Sequence, residues 1–88
     1  FAARVMANLG TLSMQLSNFQ DAAQWFNHAA VTAESGGDFL FQARQLTSLA
    51  KVLARQNDVR SREVAAVALG LAEALGWDDG AAGLRALV

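Results

Sequence analysis

A tetrapeptide at the start of the chain recurs forty positions later. Residues 1–4 (Phe-Ala-Ala-Arg) are matched by residues 41–44 (Phe-Gln-Ala-Arg), and the apolar positions that follow stay in register. Met6, Leu9, Gly10 and Leu12 align with Leu46, Leu49, Ala50 and Val52. Self-similarity with a period of about 40 residues is typical of stacked helical repeats. Such arrays commonly present extended binding surfaces, so the repeat favours a binding protein over an enzyme.

Hydrophobic spacing predicts five helices and no strand. The helices are expected over about residues 2–16, 19–34, 39–56 and 59–75, with a last helix from Asp78 or Asp79 to the C-terminus. In the first helix, the expected apolar stripe is Val5, Leu9, Leu12 and Leu16. Because the connections are short, consecutive helices should run antiparallel. The predicted fold is therefore all-α, with antiparallel helix-turn-helix pairs stacked as an α-solenoid.

Turn and capping residues divide the chain into repeats. Ser17 and Gln20 have the spacing of a capping box, and Asp38 and Asp58 are expected N-caps. Glycines at 36, 37 and 76 are expected to end helices. One domain over residues 1–88 is predicted, with repeat one at about 1–37, repeat two at about 38–77 and the start of a third at 78–88. The unfinished third repeat suggests a fragment of a longer chain.

The composition of the chain argues against several classes of binding partner. Seven basic and eight acidic residues give a net charge of -1, so no nucleic-acid partner is expected. The chain has no cysteine and a single histidine, His28, so neither a metal site nor a cofactor is expected. No uncharged apolar run approaches the roughly 18 residues of a membrane span, and no signal-peptide pattern is present. We therefore expect no membrane association and a cytoplasmic location.

Several residues fall in the order and spacing of a known repeat signature: Ala3, Met6, Leu9, Gly10, Phe19, Ala22, Phe26 and Ala29. On these residues the chain resembles the tetratricopeptide repeat (TPR) family. The period of about 40 residues resembles the longer variant found in scaffold proteins and bacterial regulators. The second repeat departs from the pattern at Arg62, where the family has alanine. Ala65, Leu69 and Ala72 restore the small-large-small pattern three residues later.

Polar residues on the first helix of each pair are the candidate binding residues. Arg4, Asn8, Thr11 and Gln15 share one helical face, and their counterparts in the second repeat are Arg44, Ser48, Lys51 and Arg55. The resemblance implies that such a face lines a concave groove. It also implies that an asparagine at the Asn8 position holds a peptide backbone while nearby basic groups hold carboxylates. An ordinary solvated helix face is the alternative.

The leading hypothesis is a non-catalytic protein- or peptide-binding module within a larger regulatory or scaffold protein. A single histidine leaves little scope for a nucleophile–base pair, so an enzyme is not expected. One alternative is a structural element that forms homo-oligomers through exposed repeat ends, and another is the sensory arm of a bacterial transcriptional regulator. Trp25 and Trp77 are interpreted as packing residues, although Trp25 could also anchor a partner.

Overall fold

The computed structural model describes residues 2–88, which form five α-helices. They are α1 (Ala2–Gln15), α2 (Phe19–Ser35), α3 (Phe39–Arg55), α4 (Arg60–Leu75) and α5 (Asp78–Arg85). Each helix packs on the next one along the chain, and no strand occurs in the described residues. The predicted all-α stack of helical pairs is thereby confirmed. Phe1, which opens the repeated tetrapeptide, lies outside the described residues.

The helix α2 begins at Phe19 as predicted, but its N-cap lies one residue later than predicted. Asn18 is the N-cap: its Oδ1 accepts a hydrogen bond from the backbone N–H of Asp21 at 3.4 Å, and its Nδ2 donates to Asp21 Oδ2 at 2.8 Å. The predicted capping box of Ser17 and Gln20 is therefore wrong. Ser17 has a φ of 60°, so the left-handed turn occupies its position and the capping position moves to Asn18.

The ends of the later helices agree more closely with the capping residues that the sequence predicts. Asp38 caps α3, because its Oδ1 accepts the N–H of Phe41 at 3.1 Å. Asp58 Oδ1 accepts the N–H of Arg60 at 2.9 Å, although Val59 is the residue immediately before α4 and makes no side-chain cap. Gly76 ends α4 with a φ of 73°, a left-handed conformation that glycine adopts without steric cost.

Three of the four residues in the apolar stripe predicted for α1 are exposed, and the fourth, Leu9, is half-buried. Val5, Leu12 and Leu16 are 46%, 50% and 73% exposed, whereas the buried residues of α1 are Ala3, Ala7 and Gly10. The reason is that α1 lies at one end of the stack and packs on α2 through its smallest side chains. The prediction was right that Val5, Leu9 and Leu12 share one face of α1, but wrong that this face packs against the rest of the protein.

Alanines and a few large side chains form the core. One cluster joins α2 to α3 through Ala22, Phe26, Leu49, Val52 and Leu53. A second joins α3, α4 and α5 through Ala50, Ala65, Ala68, Ala72, Ala81 and Leu84. Small side chains allow helix backbones to approach closely, and the larger ones fill the remaining space. In residues 2–88, no helix combines the length and apolar character required to cross a membrane.

Candidate functional site

Four of the six predicted binding residues line one groove between α1 and α3. Arg4, Asn8 and Thr11 come from α1, and Ser48 comes from α3. The groove has a volume of about 310 Å³, and its remaining lining residues are Ala7, Phe26, Phe41 and Gln45. The structure therefore brings together side chains that are about 40 residues apart in the sequence.

Arg44 lines a second groove, between α3 and α5. This groove has a volume of about 340 Å³ and is also lined by Thr47, Ser48, Lys51, Trp77, Asp79, Gly80 and Gly83. Ser48 belongs to both grooves, so the two adjoin along α3. Gln15 and Arg55 line neither groove and are exposed near the ends of their helices. The predicted face is thus split between two neighbouring grooves, and Gln15 is excluded from both.

The two repeated arginines contact aromatic rings at the start of the next helix but one, α3 for Arg4 and α5 for Arg44. The Cζ atom of Arg4 lies 5.3 Å from the centroid of the Phe41 ring, and that of Arg44 lies 5.8 Å from the Trp77 ring. A guanidinium over an aromatic face at this distance is attracted by the ring quadrupole. The periodic arginines therefore link successive repeats in addition to lining the grooves.

Trp77 takes the place that Phe41 has in the preceding repeat. It is the N-cap residue of α5, it is half-buried, and it packs against the second core cluster. Gly80 makes room for the indole, since a Cβ atom at that position would collide with the Trp77 ring. The packing role predicted for Trp77 is confirmed. The 40-residue repeat indicated that Arg44 corresponds to Arg4, but it did not indicate that Trp77 would contact Arg44 as Phe41 contacts Arg4. Phe41 lies in the first turn of α3, whereas Trp77 lies immediately before α5, so the two aromatic residues are not aligned in the sequence.

Trp25 belongs to neither core cluster. It is half-buried on α2, and its ring centroid lies 6.5 Å from that of His28 in an edge-on arrangement with an interplanar angle of 64°. Edge-to-face pairs of this kind contribute modestly to stability. This ring pair lies within α2.

The grooved face has a distinct electrostatic character. The first helices of the two complete pairs, α1 and α3, carry Arg4, Arg44, Lys51 and Arg55 and no carboxylate. Asp79, from α5, is the carboxylate that lines the second groove. The charged side chains of α1 and α3 are therefore all cations, while the carboxylates lie on the other helices and in the connections, together with Arg60, Arg62 and Arg85.

Buried polar side chains lie on α3 and were missed by the sequence analysis. Gln45 is 7% exposed and lines the first groove, at the position that Val5 occupies in α1. Thr47 is buried and satisfies its hydroxyl by donating to the carbonyl of Ala43 at 2.8 Å. On α1, the hydroxyl of Thr11 likewise donates a hydrogen bond to the carbonyl of Ala7 at 3.1 Å. Its oxygen keeps acceptor capacity toward the groove.

In comparisons with known proteins, the chain matches no family model, no curated protein and no solved structure. Within residues 2–88, no three His, Cys, Asp or Glu side chains come close enough to hold a metal ion. The chemistry of the site is therefore that of its grooves: carboxamide and hydroxyl groups between two helices, with guanidinium groups held over aromatic rings.

Proposed function

We propose that the chain is a non-catalytic peptide-binding module of the tetratricopeptide-repeat type, within a larger regulatory or scaffold protein. The observation that carries the proposal is the convergence of Arg4, Asn8 and Thr11 with Ser48 on one groove. These residues come from two helices that belong to successive repeats.

The dimensions of the stack suit an extended peptide. Packed helices lie about 8–10 Å apart, and an extended chain advances about 3.3 Å per residue. Because α1 and α3, like α3 and α5, have little direct contact, their spacing is at least this large, and a peptide that crosses from the first groove to the second advances by about three residues or more per repeat. Both grooves include Ser48, so they adjoin along α3.

The groove side chains supply complementary chemistry. The carboxamide of Asn8 can donate to and accept from a peptide backbone. Arg44 can hold a carboxylate through parallel hydrogen bonds from the edge of its guanidinium, while the face of the group remains over Trp77. The proposed ligand is consequently an extended peptide that carries at least one carboxylate.

A peptide library selected on the chain tests this function. Asn8→Ala and Arg44→Ala should each weaken the selected peptide by about fivefold or more, the expected effect of losing one hydrogen-bonding group. Gln15→Ala is the matched control, because Gln15 lies on α1 but lines neither groove. Isothermal titration of each variant gives the comparison. A peptide that binds all three variants as tightly as the original chain would contradict the groove assignment.

A second candidate function is self-association through the outer face of α1. Val5, Leu9 and Leu12 align with Gln45, Leu49 and Val52 of α3, all of which are buried. In α1, Val5 and Leu12 are exposed because no further helix covers them. Sedimentation velocity over a range of concentrations tests this candidate, with Leu12→Glu as the variant expected to remain monomeric. A chain that is already monomeric at every concentration excludes it.

A further inference from the structure

A larger cleft lies on a different face of the molecule, between α2 and α4. It has a volume of about 610 Å³ and shares no lining residue with the two grooves of the first helices. Its apolar lining comes from Ala23 on α2, Leu49 and Leu53 on α3, and Val64 on α4. Volumes of about 300–1,000 Å³ are typical of ligand sites. In this cleft, the polar lining residues outnumber the apolar ones.

The packing of the helices explains why this cleft exists. Both α2 and α4 pack on α3, but they have little direct contact with each other. Leu49 and Leu53 are 7% and 3% exposed, so they form the floor between the two helices. Ala23 leaves space on the α2 side because its side chain is a single methyl group.

Carboxamides form the rim of the cleft. Gln20, Gln24 and Asn27 lie on successive turns of one face of α2, and Gln56 follows α3. From the helical rise of 1.5 Å per residue, the three α2 positions are separated by about 6 Å and about 4.5 Å along the axis. Each carboxamide can donate and accept hydrogen bonds, as a peptide backbone does.

The charged groups of the cleft neutralise each other. Arg60 and Asp58 are the charged lining residues, and Arg60 Nη2 lies 2.7 Å from Asp58 Oδ2. Arg60 Nε also donates to Asp58 Oδ1, at 3.1 Å. The pair leaves no net charge to attract an ionic ligand. In this respect the cleft differs from the grooves lined by Arg4, Arg44 and Lys51.

We propose that the cleft between α2 and α4 binds a short, uncharged segment of polypeptide in an extended conformation. Its apolar side chains contact Leu49 and Leu53, and its backbone hydrogen-bonds to the carboxamides of Gln24 and Asn27. An extended chain presents groups on one side every two residues, about 6.6 Å apart, which is close to the separation of about 6 Å between Gln20 and Gln24 and longer than the separation of about 4.5 Å between Gln24 and Asn27. A helical ligand has no free backbone groups in its interior to meet this rim. The proposal is independent of the function proposed for the first-helix grooves.

The test uses two libraries of N-acetylated, C-amidated pentapeptides selected on the chain. One library contains only uncharged residues, and the other also includes Asp, Glu, Lys and Arg. The best peptide from the uncharged library is titrated into the ¹⁵N-labelled chain. We expect the side-chain amide resonances of Gln24 and Asn27 to shift, while that of Asn8 does not.

Substitutions then measure the contribution of the rim. Gln24→Ala and Asn27→Ala should each weaken the peptide about fivefold, and both place alanine, the strongest helix former, on an exposed surface of α2. His28→Ala, on the same helix but outside the cleft, should leave the affinity unchanged. Methylation of alternate backbone nitrogens of the peptide should abolish binding, because it removes the donors that the rim requires.

Three results would overturn the proposal. The first is a library in which no uncharged peptide is retained. The second is a retained peptide that shifts Asn8 and binds Gln24→Ala without loss, which would assign it to the first-helix groove. The third is a charged peptide that occupies the cleft as tightly as the best uncharged one. In the second case, loss of binding in Asn8→Ala and Arg44→Ala would also support the groove function.

Discussion

Substitution of Gly10 by alanine probes the closest contact between α1 and α2. A Cβ atom at Gly10 would lie 2.7 Å from Phe26 Cε1 and 2.8 Å from Cδ1, well inside van der Waals contact. The Phe26 ring is only 5% exposed and belongs to the core cluster, so it has little room to move. The added methyl group must therefore displace the ring or separate the two helices.

The expected free-energy change has two opposing parts. Glycine is less favourable than alanine within a helix by about 1 kcal/mol, so propensity alone would stabilise the variant. Overpacking a buried site costs about 1–3 kcal/mol, which exceeds that gain over most of its range. Gly70 supplies the matched control, because it lies within α4 and a Cβ atom there meets nothing within 4 Å. Gly70→Ala should stabilise the fold by about 1 kcal/mol, and Gly10→Ala should be about 1–3 kcal/mol less stable than that control.

Urea denaturation followed by far-ultraviolet circular dichroism measures both variants. For a domain of this size, 1 kcal/mol corresponds to a shift of about 4–8 °C in Tm, so thermal unfolding provides a second readout. In a Phe26→Leu background the penalty at Gly10 should shrink, because the ring atoms nearest the new methyl group are absent. If Gly10→Ala stabilises the chain as much as Gly70→Ala does, the close contact between Gly10 and Phe26 is refuted.

The other predictions concern a surface ion pair and the two tryptophans. The pKa of Asp58 is lowered from 3.8 to about 2, chiefly by hydrogen bonds from the Arg60 side chain and, to a smaller extent, from the Arg60 backbone N–H. Arg60→Gln should therefore return the pKa of Asp58 toward 3.8 in an NMR titration. Since the pKa of Asp58 is lower in the folded state, ionised Asp58 stabilises the fold above about pH 4, and this stabilisation is lost as the pH falls toward 2. The denaturation midpoint of Arg60→Gln should therefore change less between about pH 4 and pH 2 than that of the original chain. Trp77→Ala should cost about 2–4 kcal/mol in urea denaturation, because Trp77 packs on the core and under Arg44. Trp25→Ala should cost about 1 kcal/mol or less, and an equal loss for both tryptophans would contradict this difference.

Most of the helical architecture could be predicted because its signals are local. Asp38 begins α3 through its capping side chain, and Gly76 ends α4 through its backbone freedom. Neither preference depends on distant residues. The shifted pattern after Arg62 was also readable, since Ala65 and Ala72 are both fully buried. The error at Ser17 arose where two neighbouring polar residues could each serve as the cap. The left-handed turn at Ser17 decided in favour of Asn18.

The candidate site was only partly predictable because it combines two helices. Helical spacing correctly placed Arg4, Asn8 and Thr11 together, and the repeat indicated Ser48 as their counterpart. It could not indicate Gln45, because the equivalent residue in α1 is the apolar Val5. It also grouped Gln15 with the others, although the groove ends before the last turn of α1.

The sequence by itself determined that the chain is a stack of helices with a period of about 40 residues, because helix formation and repeat register depend on short-range spacing. Tertiary structure decided which side of each helix is buried. In α1, a stripe of leucine and valine remains exposed while alanine and glycine face α2, because a helix buries the face that its neighbour covers. The grooves and the cleft between α2 and α4 likewise arise from the spacing between helices. No single helical segment encodes that spacing.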